Sequence, residues 1–451
     1  MSNEKVLFVF RRDHRLYDNV GLNSIDAKNK TVVPIFIFDN AQVTSKNKFK
    51  SNRSVHFMCE SLLDLNKQLN GKLRVFQGDP ETVIKGILSQ NDFGSVVMNK
   101  DYTPYSQKRD SKIKKVCEMK KVKFCHYEDY LLAPMGTIMK NKEKKQPYTI
   151  YSWFLKKTPS ANKIDKPKSL NSSLKFLNSN EPKYKGEVSL TTMTNELMKS
   201  KDNWVEGGRS KALELMKKIP SNYNSKRNCL NQETTNLSAY IHFGNVSVRE
   251  VYHHSNTTSG IRDQLWWREF YYYILHYFPE RLTKKYPFPW KTNSKHFNAW
   301  KQGKTGFPLV DAGMRQLKQT GYMHNRARLN TASFLIKNLM IDWRKGEKYF
   351  AQSLVDYSIA SNNGNWLWVS SLDPSVSNMP SFRVFNPWEQ SKKHDPKAEY
   401  IKKYLPELSQ VPAKDIHKWN EVCEKYPNVK YPKPIVDYEQ TKKEYLSKTK
   451  T

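Results

Sequence analysis

Cysteine is scarce in this 451-residue chain: Cys59, Cys117, Cys125, Cys229 and Cys423 are scattered, odd in number and without a CxxC pair. That pattern excludes a disulfide framework and a structural zinc site, and it points to a reducing intracellular compartment. Cytoplasm, nucleus and virion are equally compatible with it. Long apolar runs are also missing: none reaches the ~18 residues of a membrane-crossing helix, so no membrane role is expected. The N-terminus enters a strand-like pattern at Val6 and reads as no signal peptide. No segment repeats at a fixed period. Several chemical fingerprints are absent: GxGxxG, a Walker loop, a GxSxG elbow, and any His/Cys/Asp/Glu cluster with metal spacing, so no metal is expected. Acidic residues are the last shortage. Only 43 Asp and Glu stand against 76 Lys and Arg, a formal net charge of +33. The lysines are spread along the whole chain, which suits a polyanionic partner, nucleic acid before membrane. A base composition favouring Lys and Asn codons would give the same excess.

What is present changes character along the chain. Apolar, β-branched and aromatic runs at Val6–Phe10, Val32–Phe38, Leu73–Phe76, Ser95–Met98 and Val122–Tyr127 predict buried strands. Val55, Met58, Leu62, Leu65 and Leu69 form one helix face between the second and third. Alternating strand and helix predicts an α/β N-terminal domain over 1–134, with a parallel five-stranded, Rossmann-like sheet. Its ligand crevice would lie at the strand C-termini. Residues 135–195, rich in Lys, Ser, Asn and Pro, read as a long interdomain linker on the surface. From 196 to 451 the spacing is helical. Gly208–Lys218, Asp263–Phe278, Leu309–Thr320, Arg326–Met340 and Glu347–Val355 all carry it, which predicts a mostly α-helical C-terminal domain.

Eight of the 11 tryptophans lie between Trp266 and Trp388. Five local segments combine aromatic, basic and amide residues: Leu265–Tyr271, Ala299–Pro308, Gly321–Arg328, Ile341–Gly346 and Asn362–Trp368. A Trp beside Arg or Asn can stack on a base and bond a phosphate. Core packing is the ordinary fate of any single Trp, but five such segments in one helical region favour a nucleic-acid site.

With Phe8–Asn19, Pro147–Trp153, Phe385–Pro387 and Tyr404–Leu408, these segments make the chain resemble the photolyase and cryptochrome family, specifically its class I cyclobutane-dimer photolyases. The resemblance covers nearly the whole chain, to about Val436. It implies an α/β antenna domain, a linker and a helical FAD domain, with UV-damaged DNA as the partner. A second antenna chromophore, methenyltetrahydrofolate or a deazaflavin, is compatible with it. A monomer with no obligatory protein partner is expected.

The resemblance also assigns residues. Tyr223, Thr234, Thr235, Asn236, Leu237 and Ser238 match the flavin phosphate and ribose clamp, for which a helix N-cap is the plain alternative reading. Arg268 matches a position at the flavin phosphates, and Arg328 with Asp356 matches a buried pair beside the isoalloxazine. Asn362 matches the amide near flavin N5, although Asn362–Gly364 also reads as a turn. Trp366, Trp343 and Trp300 match an electron relay to the surface. Trp267 and Trp368 match the rings that hold the flipped-out lesion, and Arg227, Asn325, Arg326, Leu329, Arg383 and Gln390 match DNA-contact positions.

Three positions depart from the family pattern. Gln264 replaces the Glu that bonds the dimer, Leu329 replaces Met, and Ser358 replaces the second acid of Asp-x-Asp. Gln264 can still hydrogen-bond a thymine, and Leu329 keeps apolar volume. The rival activities are a cryptochrome-type photoreceptor, a (6-4) photolyase and a basic nucleic-acid-binding protein without chemistry. The 15 residues after Val436 argue against the long extension of a photoreceptor. A (6-4) enzyme would need His at Asn325 and Leu329.

Overall fold

A computed structural model describes residues 4–199, 203–373, 380 and 382–449. Two compact units make up the chain. The first takes in Met1–Ser221, Thr235–Pro279 and Val355–Ala360; the second takes in Asn222–Thr234, Glu280–Leu354 and Ser361–Thr451.

The expected strands are present in the first unit: β1 Glu4–Phe10, β2 Lys30–Asp39, β3 Arg74–Gly78, β4 Phe93–Asn99 and β5 Lys123–Tyr127. They pair in parallel in the order β5-β4-β1-β2-β3. Alternation along β1 explains why both faces read as apolar. Val6, Phe8 and Phe10 enter one core, while Leu7 and Val9 enter the other. Helix α1 Asn52–Gln68 starts at Ser51, whose side chain accepts the Ser54 N–H. It packs Leu62 and Leu65 on the first face. Helices α2 Pro80–Leu88 and α3 Pro104–Met119 cover the other face with Ile84, Ile87, Ile113 and Val116.

The sheet is wider than expected. The presumed surface linker adds β6 Lys175–Phe176, parallel to β2, and β7 Glu187–Val188, antiparallel to β3, giving seven strands. Each has only two residues, too few for a visible period. The linker also holds helix α4 Tyr151–Leu155. Two further helices, α5 Ser238–Phe243 and α6 Ser259–Tyr277, complete the elements of this unit used below.

Helices dominate the second unit: α7 Ser294–Gln302, α8 Pro308–Thr320, α9 Asn325–Ser333, α10 Trp343–Ser353, α12 Pro387–His394 and α13 Tyr438–Lys448. Helix α11, Ile359–Ser370, contributes Ser361–Ser370. The helix expected over Arg326–Met340 is interrupted. It passes into a π-turn at Phe334–Asn338, and Met340 then takes a left-handed φ of 50°. The pattern expected to start at Glu347 begins instead at Trp343, where the Asp342 side chain accepts the Arg344 N–H, and it stops at Ser353. Residues after Val436 are not an appendage: α13 docks through Asn338 Nδ2, which donates to Thr441 Oγ1 at 3.1 Å. Among the described residues, no helix is long and apolar enough to cross a membrane.

Candidate functional site

The first unit places an aromatic platform on α6. Gln264 is exposed, and Trp267 follows one turn later on the same face. The Trp267 ring stacks on Tyr151 from α4, with centroids 3.6 Å apart and planes 13° from parallel. The Tyr151 hydroxyl donates to Asp263, to the carboxylate at 2.5 Å and the carbonyl at 2.9 Å. Phe270 and Tyr271 border the indole at 5.8 and 5.7 Å. One face of Trp267 is thus held by protein before any ligand arrives. Tyr151 was not singled out from the sequence, although it lies inside the Pro147–Trp153 motif.

Arg268, next on α6, is anchored rather than loose. Its Nη1 meets Glu269 at 3.0 Å and its Nη2 donates to the Tyr130 carbonyl at 3.0 Å. The guanidinium also lies over the Tyr130 ring at 4.1 Å. The hydroxyl string Thr235–Ser238 is not an ordinary cap: Leu237 is the N-cap of α5 and makes no side-chain cap bond. Ser238 Oγ instead donates to Asp356 Oδ2 at 2.7 Å, and Asn236 has a left-handed φ of 55°. Ser358 shares a hydrogen bond with the Tyr272 hydroxyl at 3.2 Å.

The crevice where β1 and β4 diverge is filled by ion pairs. Arg11 meets Asp110 at 2.5 Å and Arg12 meets Asp101 at 3.5 Å. Arg15 meets Asp129 at 2.7 Å, and Arg249 meets Asp18 and Asp129 at 3.0 and 2.9 Å. Burial alone would raise the carboxyl pKa values of Asp101, Asp110 and Asp129. The arginines win, and all three lie below the usual range. The space left among Arg11, Arg12, Asp13, Asn99 and Asp101 is small, about 10 Å³.

The second unit holds the tryptophans matched to the relay. Trp366 and Trp300 lie edge to face, 6.4 Å apart, and Phe350 contacts them at 5.1 and 6.0 Å respectively. Trp343 is buried at the start of α10. Trp300 is fully enclosed, and its indole N–H donates to the Thr331 carbonyl at 3.0 Å. It therefore does not itself open to solvent, as a relay ending at this ring would require. Half-buried Tyr349 is its neighbour at 5.8 Å. Gly346 permits this packing, since a Cβ there would come within 2.3 Å of the Trp366 ring.

Asn362 lies within α11, not in a turn, and its Nδ2 donates to the Glu347 carbonyl at 3.1 Å. Its Oδ1 is the atom left to accept from a flavin ring N–H, so the amide fits the expected cofactor. The Glu347 carboxyl accepts from Asn363 at 3.3 Å, and burial pushes its pKa up to about 7. Glu347 is a further residue that sequence reading missed. Thr234 Oγ1 lies 3.3 Å from the Tyr322 hydroxyl, and Tyr223 is half-buried in a short helix. Arg328 Nε donates to the Met323 carbonyl at 2.8 Å, with its guanidinium over Tyr322.

The matched DNA-contact positions of this unit form a basic locus. Asn325 and Arg326 open α9, with Asn325 exposed and Leu329 half-buried one turn on. Arg326 Nε donates to the neutral Asn228 side chain at 2.9 Å. Burial, then the charges of Arg227 and Arg383, push the Arg326 pKa down. Arg383 is exposed; Trp368 on α11 and Gln390 on α12 are half-buried. His324, the N-cap of α9, accepts the Arg326 N–H through Nδ1 at 3.1 Å, and its buried Nε2 has no hydrogen-bond partner. Burial and then Arg326, Arg328 and His394 push its pKa down to about 4. A locus that repels protons and surrounds Arg326 with positive charge suits a phosphate backbone.

Comparison with known proteins addresses the family of the chain. Residues 6–170 match the family model described as DNA photolyase, and residues 261–451 match the FAD binding domain of DNA photolyase. That second match extends beyond Val436, the limit expected from sequence. The deoxyribodipyrimidine photo-lyase of Buchnera aphidicola (from Acyrthosiphon pisum) is 33% identical, covering 98% of this chain and 96% of its own. A photolyase structure from Sulfolobus tokodaii, with two FAD molecules, superposes with a TM-score of 0.87 at 35% identity, covering 99% of each chain. A class III photolyase from Agrobacterium tumefaciens gives 0.88 at 30% identity, covering 100% of this chain and 98% of that one.

Proposed function

Because this chain belongs to the DNA photolyase family, we propose that it is a deoxyribodipyrimidine photolyase, a carbon–carbon lyase that splits cyclobutane pyrimidine dimers in UV-damaged DNA. The observation that carries this reading is the Trp267 platform, backed by Tyr151 and with Gln264 one turn away. Such a surface stacks a base pushed out of the duplex and offers an amide to its polar edge. Bound FAD, in its reduced form, supplies the photo-excited electron. The protein's own groups do the rest. Asn362 offers Oδ1 to the ring, while Arg268 and the Thr234–Ser238 string serve the phosphates and ribose. Arg328, Asp356 and Ser358 serve the ring. Trp366, Trp343 and Trp300 would carry electrons toward the ring, reached from solvent through half-buried Tyr349 because Trp300 itself is enclosed. Arg227, Asn325, Arg326, Arg383 and Gln390 hold the DNA backbone, Trp267 and Trp368 each offer a ring to the lesion, and Leu329 offers it apolar surface.

An electron reaching the dimer would break, in turn, the two carbon–carbon bonds that join the adjacent bases, and its return to the flavin would leave no net redox change. Neutral Gln264 hydrogen-bonds the radical anion without opposing its charge. The histidine at the N-cap of α9 also favours the cyclobutane substrate. Reversal of a (6-4) product needs a proton donor near neutral pH, and His324 stays neutral down to about pH 4.

In this reading residues 1–134 form the antenna-type domain, 135–195 the linker and 196–451 the FAD- and DNA-binding domain. A second antenna chromophore, its presence and identity open, is compatible with this reading; the Sulfolobus relative carries two FAD molecules. The protein acts as a monomer in a reducing compartment. The test is blue-light repair of a defined thymine-dimer oligonucleotide beside a (6-4) one. Restoration of the thymine dimer alone is expected. Restoration of the (6-4) substrate with the thymine dimer left intact would overturn the assignment.

A further inference from the structure

Lys337 has no part in the chemistry above, yet it is fully buried. It lies in the π-turn Phe334–Asn338, where the Leu339 N–H reaches back to the Phe334 carbonyl at 3.0 Å. Turns of this kind often re-aim a side chain at a functional position. The Lys337 Nζ donates to Ser371 Oγ at 3.2 Å and to the Arg383 carbonyl at 2.8 Å. It also lies 5.5 Å from the Tyr445 ring of α13. Its two hydrogen-bond acceptors bracket the segment that follows α11, the helix of Trp366 and Trp368. Asp373, within that segment, is tied too: Arg281 Nε meets it at 3.1 Å and the Tyr286 hydroxyl donates to it at 2.7 Å.

A buried ammonium is an expensive way to fill space, and an apolar side chain of similar volume would do so at lower cost. Its partners here are a hydroxyl and a carbonyl, and what distinguishes them is where they sit. Burial and the nearby Arg383 push the Lys337 pKa down to about 7. The neutral amine still donates hydrogen bonds, so the tie persists on both sides of that value.

We infer that Lys337 is a positioning residue for lesion recognition: by bonding both Ser371, which follows α11, and the Arg383 carbonyl, it ties the end of α11 to Arg383 and sets the arrangement in which Trp368 and Arg383 meet damaged DNA. This rests on the DNA-contact roles proposed for Trp368 and Arg383, so the test includes Arg383→Ala. The flavin-loaded protein is titrated with a duplex carrying one thymine dimer and with the undamaged duplex. Lys337→Met is expected to weaken lesion binding roughly tenfold, about 1.4 kcal/mol, and undamaged-duplex binding by a clearly smaller factor, the share carried by the Arg383 backbone contact.

Ser371 supplies a second variant that does not depend on tolerance of a changed core. Its φ is 58°, a left-handed conformation that glycine adopts without strain and asparagine tolerates. Ser371→Gly therefore removes the acceptor without loss of thermal stability, and it is expected to weaken lesion binding in the same direction. Ser371→Asn keeps an acceptor and is expected to bind the lesion as wild type does. Wild-type lesion affinity in both Lys337→Met and Ser371→Gly, with Arg383→Ala impaired, overturns the inference and leaves the contact roles standing. Equal losses on both duplexes overturn it as well, since a general structural role would produce them. An unimpaired Arg383→Ala removes the contact reading itself, and the inference with it.

Discussion

Arginine serves opposite purposes at one place in each unit. At the strand ends of the first, Arg11, Arg12, Arg15 and Arg249 each meet a carboxylate between 2.5 and 3.5 Å away. In the second, Arg326 bonds a neutral amide and feels Arg227 and Arg383 as like charges. Individual carboxyls contrast as well. Asp101, Asp110 and Asp129 are held ionised by arginines, whereas Glu347 in the second unit bonds only an amide and rises to about pH 7. Positive charge neutralised internally is architecture. Positive charge left facing its own kind is what the proposed phosphate contact would neutralise. The chain's net charge of +33 conceals this distinction, which only the pairing reveals.

The largest effect should come from breaking the first arrangement. Asp129→Ala leaves Arg15 and Arg249 facing each other's charge while 2% and 5% exposed. Removing one partner of such a pair costs about 3–5 kcal/mol. Urea denaturation of the flavin-loaded protein should show that loss. A change below about 1 kcal/mol would mean that the cluster is wetter and weaker than its geometry suggests.

Glu347→Gln tests the carboxyl side of the comparison through pH. The folded-state pKa is raised from 4.5 to about 7, so the folded protein holds this proton more tightly than the unfolded chain does. The stabilisation is complete below the unfolded value and is lost as pH rises through about 7. Glutamine cannot titrate but keeps an acceptor for Asn363. The decline in stability between pH 5 and 8 should therefore be shallower in the variant by up to roughly 3 kcal/mol, at 1.36 kcal/mol per pKa unit. Parallel profiles would show that Glu347 is ionised throughout.

The elements that could be read from sequence are those whose cause is local. Strand β1 announced itself because Val6–Phe10 is apolar on both faces. The two-residue strands β6 and β7 had no period to show. The π-turn at Phe334 was hidden because apolar residues continue through it. At the site, Trp267 was visible in its motif, but the ring that backs it comes from Tyr151, more than a hundred residues earlier. The Arg11–Asp18 stretch was legible only as a family signature. Its physical meaning lies in Asp101, Asp110 and Asp129, and no spacing along the chain connects them.

Trp267→Ala removes the platform that the comparison assigns to a lesion rather than to a phosphate. Loss of one stacking surface should weaken thymine-dimer binding by about 1–3 kcal/mol and leave undamaged duplex nearly unaffected. Equal losses on both DNAs would make the Tyr151–Trp267 stack a packing feature only.

Arg326→Ala should give the smallest and most diagnostic change, because it removes a charge from the locus without leaving a carboxylate unpaired. Stability should stay within about 0.5 kcal/mol of wild type, in contrast to Asp129→Ala. Binding should weaken on damaged and undamaged duplex alike, since a phosphate contact carries no information about the base. The change should be largest at low salt. Each phosphate that a cation neutralises releases condensed counterions, so the slope of log affinity against log salt should become shallower by about one. The pKa effect points the same way. The guanidiniums of Arg227 and Arg383 already press on Arg326, and a phosphate between them turns that repulsion into attraction. An unchanged salt slope would place the DNA backbone elsewhere. The asymmetry between the units would then be a matter of packing rather than of partner.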